Sequence, residues 1–348
     1  MSVSDLPFFA ILAIFAISTV FVWMAGTRLA IYGDELSERL DLSREFIGLI
    51  FLAAVTELPE IVTTVTAASS GNASLVLGNL FGGITMNTAI LAVIDFFVVR
   101  HALTSWPRKP NHALLAVLLI VLLAMLLAIT FIGDIAVVLN IGLGAICLSA
   151  CYPIVIAMLR QFDGKNSWAP IDLPEEIEHE VGVLLHDNHL QKTSTRSLFI
   201  NSTIASLVIL IAGVALAITA DSIAEKSSLG SSFIGVTLLA AATSLPELST
   251  TLAAARIGAY TMAISNIFGS NLIMLALILP SDMAYRGGPI LSQADSVSQF
   301  SIAIGIVVTA IYVAGILIRR TPSWFGAGLD SWLVILVYLG MLISLYHF

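Results

Sequence analysis

The sequence predicts an all-α integral membrane protein, with ten transmembrane helices in two inverted five-helix repeats and both termini outside. Three observations carry this expectation. Hydrophobic residues make up 58% of the 348 and charged residues only 11%, with a mean hydropathy of +0.99, whereas soluble domains carry about 25% charged residues. Apolar runs long enough to cross about 30 Å of hydrocarbon recur along the chain. Finally, Phe46 to Asn87 aligns without a gap on Phe233 to Met274, at a constant offset of 187 residues.

The runs are 7–32, 46–70, 73–98, 112–132, 134–159, 197–220, 231–255, 260–280, 299–318 and 328–346. The first, from Pro7 to Ile31, has no basic leader and is longer than a cleaved signal core, so it reads as a true span. The second and seventh contain Pro59 and Pro246, each followed by an acid. The third and eighth carry Gly78-Asn79-Leu80-Phe81-Gly82-Gly83 and Ser265-Asn266-Ile267-Phe268-Gly269-Ser270-Asn271, whose small residues let helices approach closely. Cys147 and Cys151 lie four apart on the fifth span, where a helix cannot comfortably bridge them. They read as small hydrophobes, and no disulfide framework follows. Short breaks at Gly71-Asn72, Gly133-Asp134 and Arg256–Ala259, and the stretch Ser281–Gln299, separate neighbouring spans.

One long polar insert, 161–196, divides the chain into halves 1–160 and 197–348. It holds Asp172, Glu175, Glu176, Glu178, His179, Glu180, His186, Asp187 and His189. Its spacing fits no EF-hand loop, and a charge run of this kind is usually a solvated segment. Sensing of cytoplasmic Ca²⁺ or pH is the alternative, and Pro174 to Leu190 could form an amphipathic helix at the membrane surface.

Basic residues set the orientation. One side receives Arg28, Arg39, Arg44, Arg100, Arg108, Lys109, Arg160, Lys165, Lys192, Arg196, Arg256, Arg319 and Arg320, while the side of the termini keeps Lys226 and Arg286. The richer side is cytoplasmic by the positive-inside rule, which puts the insert there and the termini outside. The seventh helix comes five spans after the second. An odd number reverses direction, so the repeats are inverted, an architecture of alternating-access transporters. The 187-residue offset also pairs Asp34 with Asp221, Glu38 with Glu225 and Arg39 with Lys226.

Chemistry concentrates in Thr56-Glu57-Leu58-Pro59-Glu60 and its copy Thr243-Ser244-Leu245-Pro246-Glu247. A carboxylate at mid-span costs roughly 2.5–3.5 kcal/mol on insertion scales, so two at matched positions point to function. Pro59 and Pro246 cannot donate to the carbonyls of Val55 and Ala242, and a cation is one of the few partners available at that depth. Thr56, Glu60, Thr63 and Thr64 share helical spacing, as do Thr243, Glu247, Thr250 and Thr251. Asn79, Asn266 and Asn87 add amides that can orient or coordinate. Taken singly, a proline kinks, glycines pack and threonines bond their own helix; the recurrence of the set is what argues for a site. Hard oxygens without thiolate or imidazole suit Ca²⁺ or Na⁺ better than Zn²⁺ or copper. Glu57 has no acidic counterpart, and two acids three residues apart repel when both ionise, which favours a proton held between Glu57 and Glu60.

These residues resemble the sodium/calcium exchanger family of the Ca²⁺/cation antiporter superfamily, as a divergent prokaryotic-type member. That family carries two inverted repeats, each with a Thr-Ser-x-Pro-Glu-like helix followed by a Gly-Ser-Asn-containing helix, and the likeness covers almost the whole chain. The resemblance implies a midplane site with Glu60 and Glu247 as shared cation ligands. It implies that Thr56 and Thr243 give backbone or hydroxyl oxygens, and that Ser244, Ser270 and Asn87 line flanking sites. The carbonyls of Ala53 and Ala240 fall at positions the family uses for coordination. Glu57 stands where the family usually has serine, Gly83 and Ile84 replace a serine and an asparagine, and Met274 replaces an amide or carboxylate. Two oxygen ligands are thereby lost and one carboxylate gained.

The expected function is secondary antiport of Ca²⁺ against Na⁺ or H⁺ by alternating access, in the plasma or inner membrane. Exchange of K⁺, Mg²⁺ or Mn²⁺ and a non-transporting sensor are the alternatives. Inorganic cations and the bilayer are the expected partners, with no nucleic acid and no cofactor. Neither a His-Glu-x-x-His nor a Gly-x-Ser-x-Gly motif occurs, which argues against an intramembrane enzyme.

Overall fold

The computed structural model describes residues 6–98, 102–107, 110–138, 141–162, 194–226, 240–318, 323–324 and 327–347. The helices are α1 (Phe8–Arg39), α2 (Arg44–Thr56), α3 (Leu58–Ser69), α4 (Ala73–Phe97), α5 (Asn111–Ile132) and α6 (Leu143–Phe162) in the first half. The second half has α7 (Thr195–Lys226), α8 (Ala240–Thr243), α9 (Leu245–Arg256), α10 (Tyr260–Ala276), α11 (Ile278–Ala284), α12 (Ser296–Ile318) and α13 (Leu329–His347). Seven described helices are long and apolar enough to cross a membrane, with α10 and α11 taken together, and the bent pair α2/α3 makes an eighth. The expected tenth span is the shorter α13. The expected seventh, 231–255, falls within the described residues only from 240 onward, and nearly all of the 161–196 insert lies outside them.

The break in the second helix follows from its sequence. Pro59 has no N–H to give, and the chain bends by 45° between α2 and α3, with Glu57 at the joint. Ser244 holds the same place between α8 and α9, just before Pro246. Upstream, Ile47–Leu52 is wound as a π-helix, a widened turn often found at functional sites. A side chain at Gly48 would strike the backbone of Met262, and one at Gly269 would strike Leu49 and Ala53. These glycines therefore let α2 and α10 lie backbone to backbone.

The fifth predicted span began at residue 134, and the structure corrects this. Gly133 takes a left-handed φ of 87°, and β1 (Ala136–Val138) pairs with β2 (Ile141–Gly142) in a short antiparallel hairpin. The Asp134 carboxylate then accepts the Gly144 amide at 2.7 Å and that of Ala145 at 3.3 Å. This caps the start of α6 and displaces it to Leu143. A second hairpin, β3 (Ser323–Trp324) with β4 (Ala327–Gly328), precedes α13.

The halves interlock at both ends of the bundle. Asp95, at the end of α4, accepts the Leu103 amide at 2.7 Å, the Gly328 amide at 2.8 Å and the Ser331 hydroxyl at 2.7 Å. Its repeat partner Asp282 accepts the amides of Ile290 and Gly142, both at 2.6 Å. One donor in each clamp comes from the following 3₁₀ turn, Leu103–Ser105 or Ile290–Gln293. A second comes from the hairpin of the opposite half, and Asp95 takes a third from Ser331 of α13. Consistent with this exchange, α12 and α13 pack on α4, and α6 packs on α10.

Helices α4 and α10 form the buried centre, and α1 and α7 pack together as an outer pair against α9 and α3. Lys226 donates to the Leu6 carbonyl at 2.7 Å, so the last turn of α7 lies on the N-terminal side. Arg39 and Arg44, at the far end of α1, lie on the opposite side.

Candidate cation site

The bend after α2 and the bend after α8 face each other at the centre of the bundle. There one carboxylate oxygen each from Glu57, Glu60 and Glu247 lies within 4.8 Å of the others. All three side chains are fully buried, and none of their six oxygens has a hydrogen bond of normal geometry. The hydroxyl of Ser270 faces Glu57 and Glu247, that of Thr56 faces Glu247, and that of Thr243 faces Glu60. Three buried, unpaired carboxylates cannot all stay charged in a low-dielectric interior without positive charge among them. The arrangement can hold a hard cation, protons, or both.

Most residues predicted from the sequence gather here. Thr56 and Ser270 approach at 3.4 Å across the two halves, and Thr243 donates to the Asn79 side-chain oxygen at 3.4 Å. Ser244 is buried at the α8/α9 joint, with its hydroxyl unpartnered. The carbonyl of Ala53 accepts the Glu57 amide at 3.1 Å and the Thr56 hydroxyl at 3.3 Å. That of Ala240 accepts the Ser244 amide at 2.9 Å and the Thr243 hydroxyl at 3.3 Å. Both carbonyls thus serve their own helices. Asn266 instead spans the hydroxyls of Thr250 and Thr251, at 3.0 and 2.9 Å.

The mismatched repeat positions meet one another. The amide nitrogen of Asn87 lies 4.0 Å from the Met274 sulfur, and a side chain at Gly83 would collide with the Met274 methyl, 2.7 Å away. Methionine therefore fills the space beside Asn87, whose side-chain oxygen is buried without a partner. The nearby Asn271 donates to Thr88 at 3.3 Å and likewise leaves its oxygen unpartnered.

The two Pro-Glu helices differ in what covers them. A cavity of about 390 Å³ runs along α3, from exposed Ser70, Asn72 and Asp221 down to buried Thr64 and Asn79. On the opposite face, Ser249, Thr250 and Thr251 of α9 are all buried. A side chain at Gly26 of α1 would strike Ser249 and Thr250, whereas one at its repeat partner Gly213 of α7 would strike Pro59. Ser249 and Thr250 correspond to Val62 and Thr63, not to Pro59. The outer helices therefore meet the two copies about one helical turn apart, ~5.4 Å.

Sequence reasoning passed over Asp95 and Asp282, and gave Asn271 no role beyond its place in the eighth-span motif. The first two were within its reach, because the 187-residue offset that paired Glu60 with Glu247 also pairs Asp95 with Asp282. Asn271 stands opposite Ile84 in the alignment, so no symmetry signal marked it.

Comparison with known proteins agrees with this architecture. The profile of the sodium/calcium exchanger protein family matches residues 10–160 and 198–346. CaxA of Alkalimonas amylolytica, named as a candidate antiporter, is 28% identical over 259 residues, covering 74% of this chain and 75% of its own. The sodium/calcium exchanger MaX1 of Methanosarcina acetivorans is 32% identical over 125 residues, 36% of this chain and 33% of that one. A structure of the sodium-calcium exchanger NCX_Mj soaked with Na⁺ and Sr²⁺ superposes with a TM-score of 0.71 at 17% identity, over 97% of this chain and 99% of that one. The same exchanger soaked with Na⁺ and no Ca²⁺ gives 0.70 at 18% identity, with the same coverage. The chain belongs to the sodium/calcium exchanger family and is a multi-pass membrane protein of the cation antiporter class.

Proposed function

We propose that this member of the sodium/calcium exchanger family is a secondary antiporter that exchanges Ca²⁺ for H⁺ or Na⁺ at the Glu57–Glu60–Glu247 cluster. The observation that carries this reading is the convergence of three fully buried carboxylates without hydrogen bonds. Hydroxyls of Thr56, Thr243 and Ser270 and amide oxygens nearby supply further hard ligands of the kind Ca²⁺ takes, six to eight in all. Charge counting favours H⁺ as the counter-ion. One divalent ion leaves a net charge of −1 on three carboxylates, which one proton cancels; in the absence of Ca²⁺ three protons cancel the full −3 of the cluster. Na⁺ would need three sites, and Met274 takes up space beside Asn87 where a further one could lie.

On this reading the chain spans the plasma or inner membrane ten times, with its termini outside. The shared carboxylates bind either Ca²⁺ or the competing ions, which makes transport an exchange. The one-turn offset between the outer helices supports alternating access. Purified protein in liposomes should take up Ca²⁺ when a proton or Na⁺ gradient is imposed, and Glu247→Gln should take up none. Uptake by Glu247→Gln at the wild-type rate would defeat the assignment. Varying pH and Na⁺ independently separates the counter-ions. Exchange of another cation such as Mn²⁺ is favoured by the altered ligands at Gly83 and Met274, and a competition series reads it out.

A further inference from the structure

The clamp at the end of α4 holds a second acid. Asp330, in the first turn of α13, is buried like Asp95, and the two carboxylates meet at Gly328. The Gly328 amide donates to Asp95 Oδ2 at 2.8 Å, and a side chain at Gly328 would strike Asp330 Oδ1. Their hydrogen bonds are unequal. Asp95 accepts three, spread over both oxygens. Asp330 accepts the Thr104 hydroxyl on Oδ2 at 2.6 Å. Its Oδ1 has no hydrogen bond of normal geometry, although the amides of Asp330 and Ser331 lie near the carboxylate. The Tyr312 phenol of α12 is fully buried, its hydroxyl without a hydrogen bond, within electrostatic reach of both acids. At the opposite end Asp134 is the acid that acts on Asp282, and the amides of Ile135, Gly144 and Ala145 fill both its oxygens. Of the four clamp acids, Asp330 is the one with a bare oxygen.

Two buried carboxylates that meet at one residue do not both ionise without positive charge beside them. Among the described residues neither joins an ion pair. The elements around Asp330 are α4, α12, β4 and the Leu103–Ser105 turn, and they carry no lysine, arginine or histidine. Hydrogen bonds decide which acid keeps its charge: three donors favour the anion at Asp95, and an unfilled oxygen favours the acid form at Asp330. We propose that Asp330 is a second proton-binding site, separate from the central glutamates, and that its proton fastens α13 and the β3–β4 hairpin to the end of α4. The neutral carboxyl can give its O–H to the Tyr312 oxygen, directly or through one water. Loss of the proton sets two negative charges on either side of Gly328 and pushes the hairpin away from α4. The inference stands whether or not the chain exchanges Ca²⁺.

The test is thermal melting of the detergent-solubilised full chain across pH. A proton held by the folded chain and released on unfolding makes stability fall as pH rises. Asp330→Asn, the isostere of the neutral acid, should melt with the wild type at acid pH and several degrees above it at alkaline pH. In an Asp95→Asn background, where the opposing charge is gone, that alkaline advantage should shrink. Infrared spectra give a second readout. With Glu57, Glu60 and Glu247 all changed to Gln, the acid-minus-alkaline difference should contain a protonated-carboxyl band that Asp330→Asn removes. The proposal is overturned if Asp330→Asn fails to fold at acid pH or melts below the wild type by the same margin at every pH. The latter is the result expected if Arg319 or Arg320, which lie outside the described residues, supplied a counter-charge. A carboxyl band that persists unchanged in Asp330→Asn would overturn it equally.

Discussion

The first Pro-Glu helix, α3, lies along an open cavity of mixed lining, whereas the second, α9, is covered by α1 with its hydroxyls buried and satisfied. The two segments are near-copies in sequence, and both begin at a broken helix beside a buried glutamate. What separates them is where the outer helix rests: α1 meets α9 at Ser249 and Thr250, and α7 meets α3 at Pro59. One sequence motif thus adopts two covers in one molecule. The two covers differ by about one helical turn. The chemistry at the centre is unequal too, since Glu57 stands where the second copy has Ser244.

The largest expected effect tests the symmetric part. Glu60→Gln and Glu247→Gln should each abolish Ca²⁺ uptake in liposomes, because each removes a ligand both ions need; activity surviving in only one of them would show that the halves do not share the site. Next comes the asymmetric acid. If protons compete with Ca²⁺ for the carboxylates, as the proposed exchange requires, the KM for Ca²⁺ in the wild type should rise as pH falls and drop as pH rises. Glu57→Ser, which makes the halves alike, should flatten that dependence while Ca²⁺ uptake continues. An unchanged pH profile in Glu57→Ser would remove Glu57 from the proton pathway.

Smaller effects compare the clamps and the covers. Asp95→Asn should lower the thermal stability of the detergent-solubilised protein by about 1–3 kcal/mol, through weakened bonds to buried donors. Asp282→Asn should cost less, because Asp95 serves three donors and Asp282 two. Equal melting temperatures for the two variants would contradict this ranking. Gly213→Ala should destabilise by roughly 1–3 kcal/mol, since it drives a methyl group into the rigid ring of Pro59. Gly26→Ala should cost less in the same melts, because the nearest obstacle there is the rotatable Ser249 hydroxyl. The reverse order would mean that the covers are not related as the register suggests.

Much of this molecule was legible in the sequence. The matched pairs Pro59/Pro246 and Glu60/Glu247 pointed to the carboxylates that the fold brings together, because a mid-span carboxylate beside a proline is costly unless a cation or a proton neutralises it. The segments around them told less. The start of α6 was misplaced because Ile135 to Ile141 is as apolar as a helix and hydropathy alone does not separate a hairpin from a span; the turn is fixed by Gly133 and by Asp134 capping Gly144. The carbonyls freed by the prolines were visible, but not the engagement of Ala53 and Ala240 with their own helices. The difference in cover between α3 and α9 was beyond reach, since both helices carry nearly the same residues and only packing distinguishes them.

The exchanged clamps bear on how such a chain is made. Asp95 and Leu103 leave the ribosome within eight residues of each other, but Gly328 follows Asp95 by 233 residues. The Asp282 clamp likewise draws Gly142 from 140 residues upstream. Neither half can complete its own joints during synthesis, and the first waits in the bilayer with a carboxylate still short of a donor until the final hairpin arrives. A chain that stops before Asp282 leaves both clamps open, and one that stops between Ile290 and Gly328 can close the second clamp but not the first.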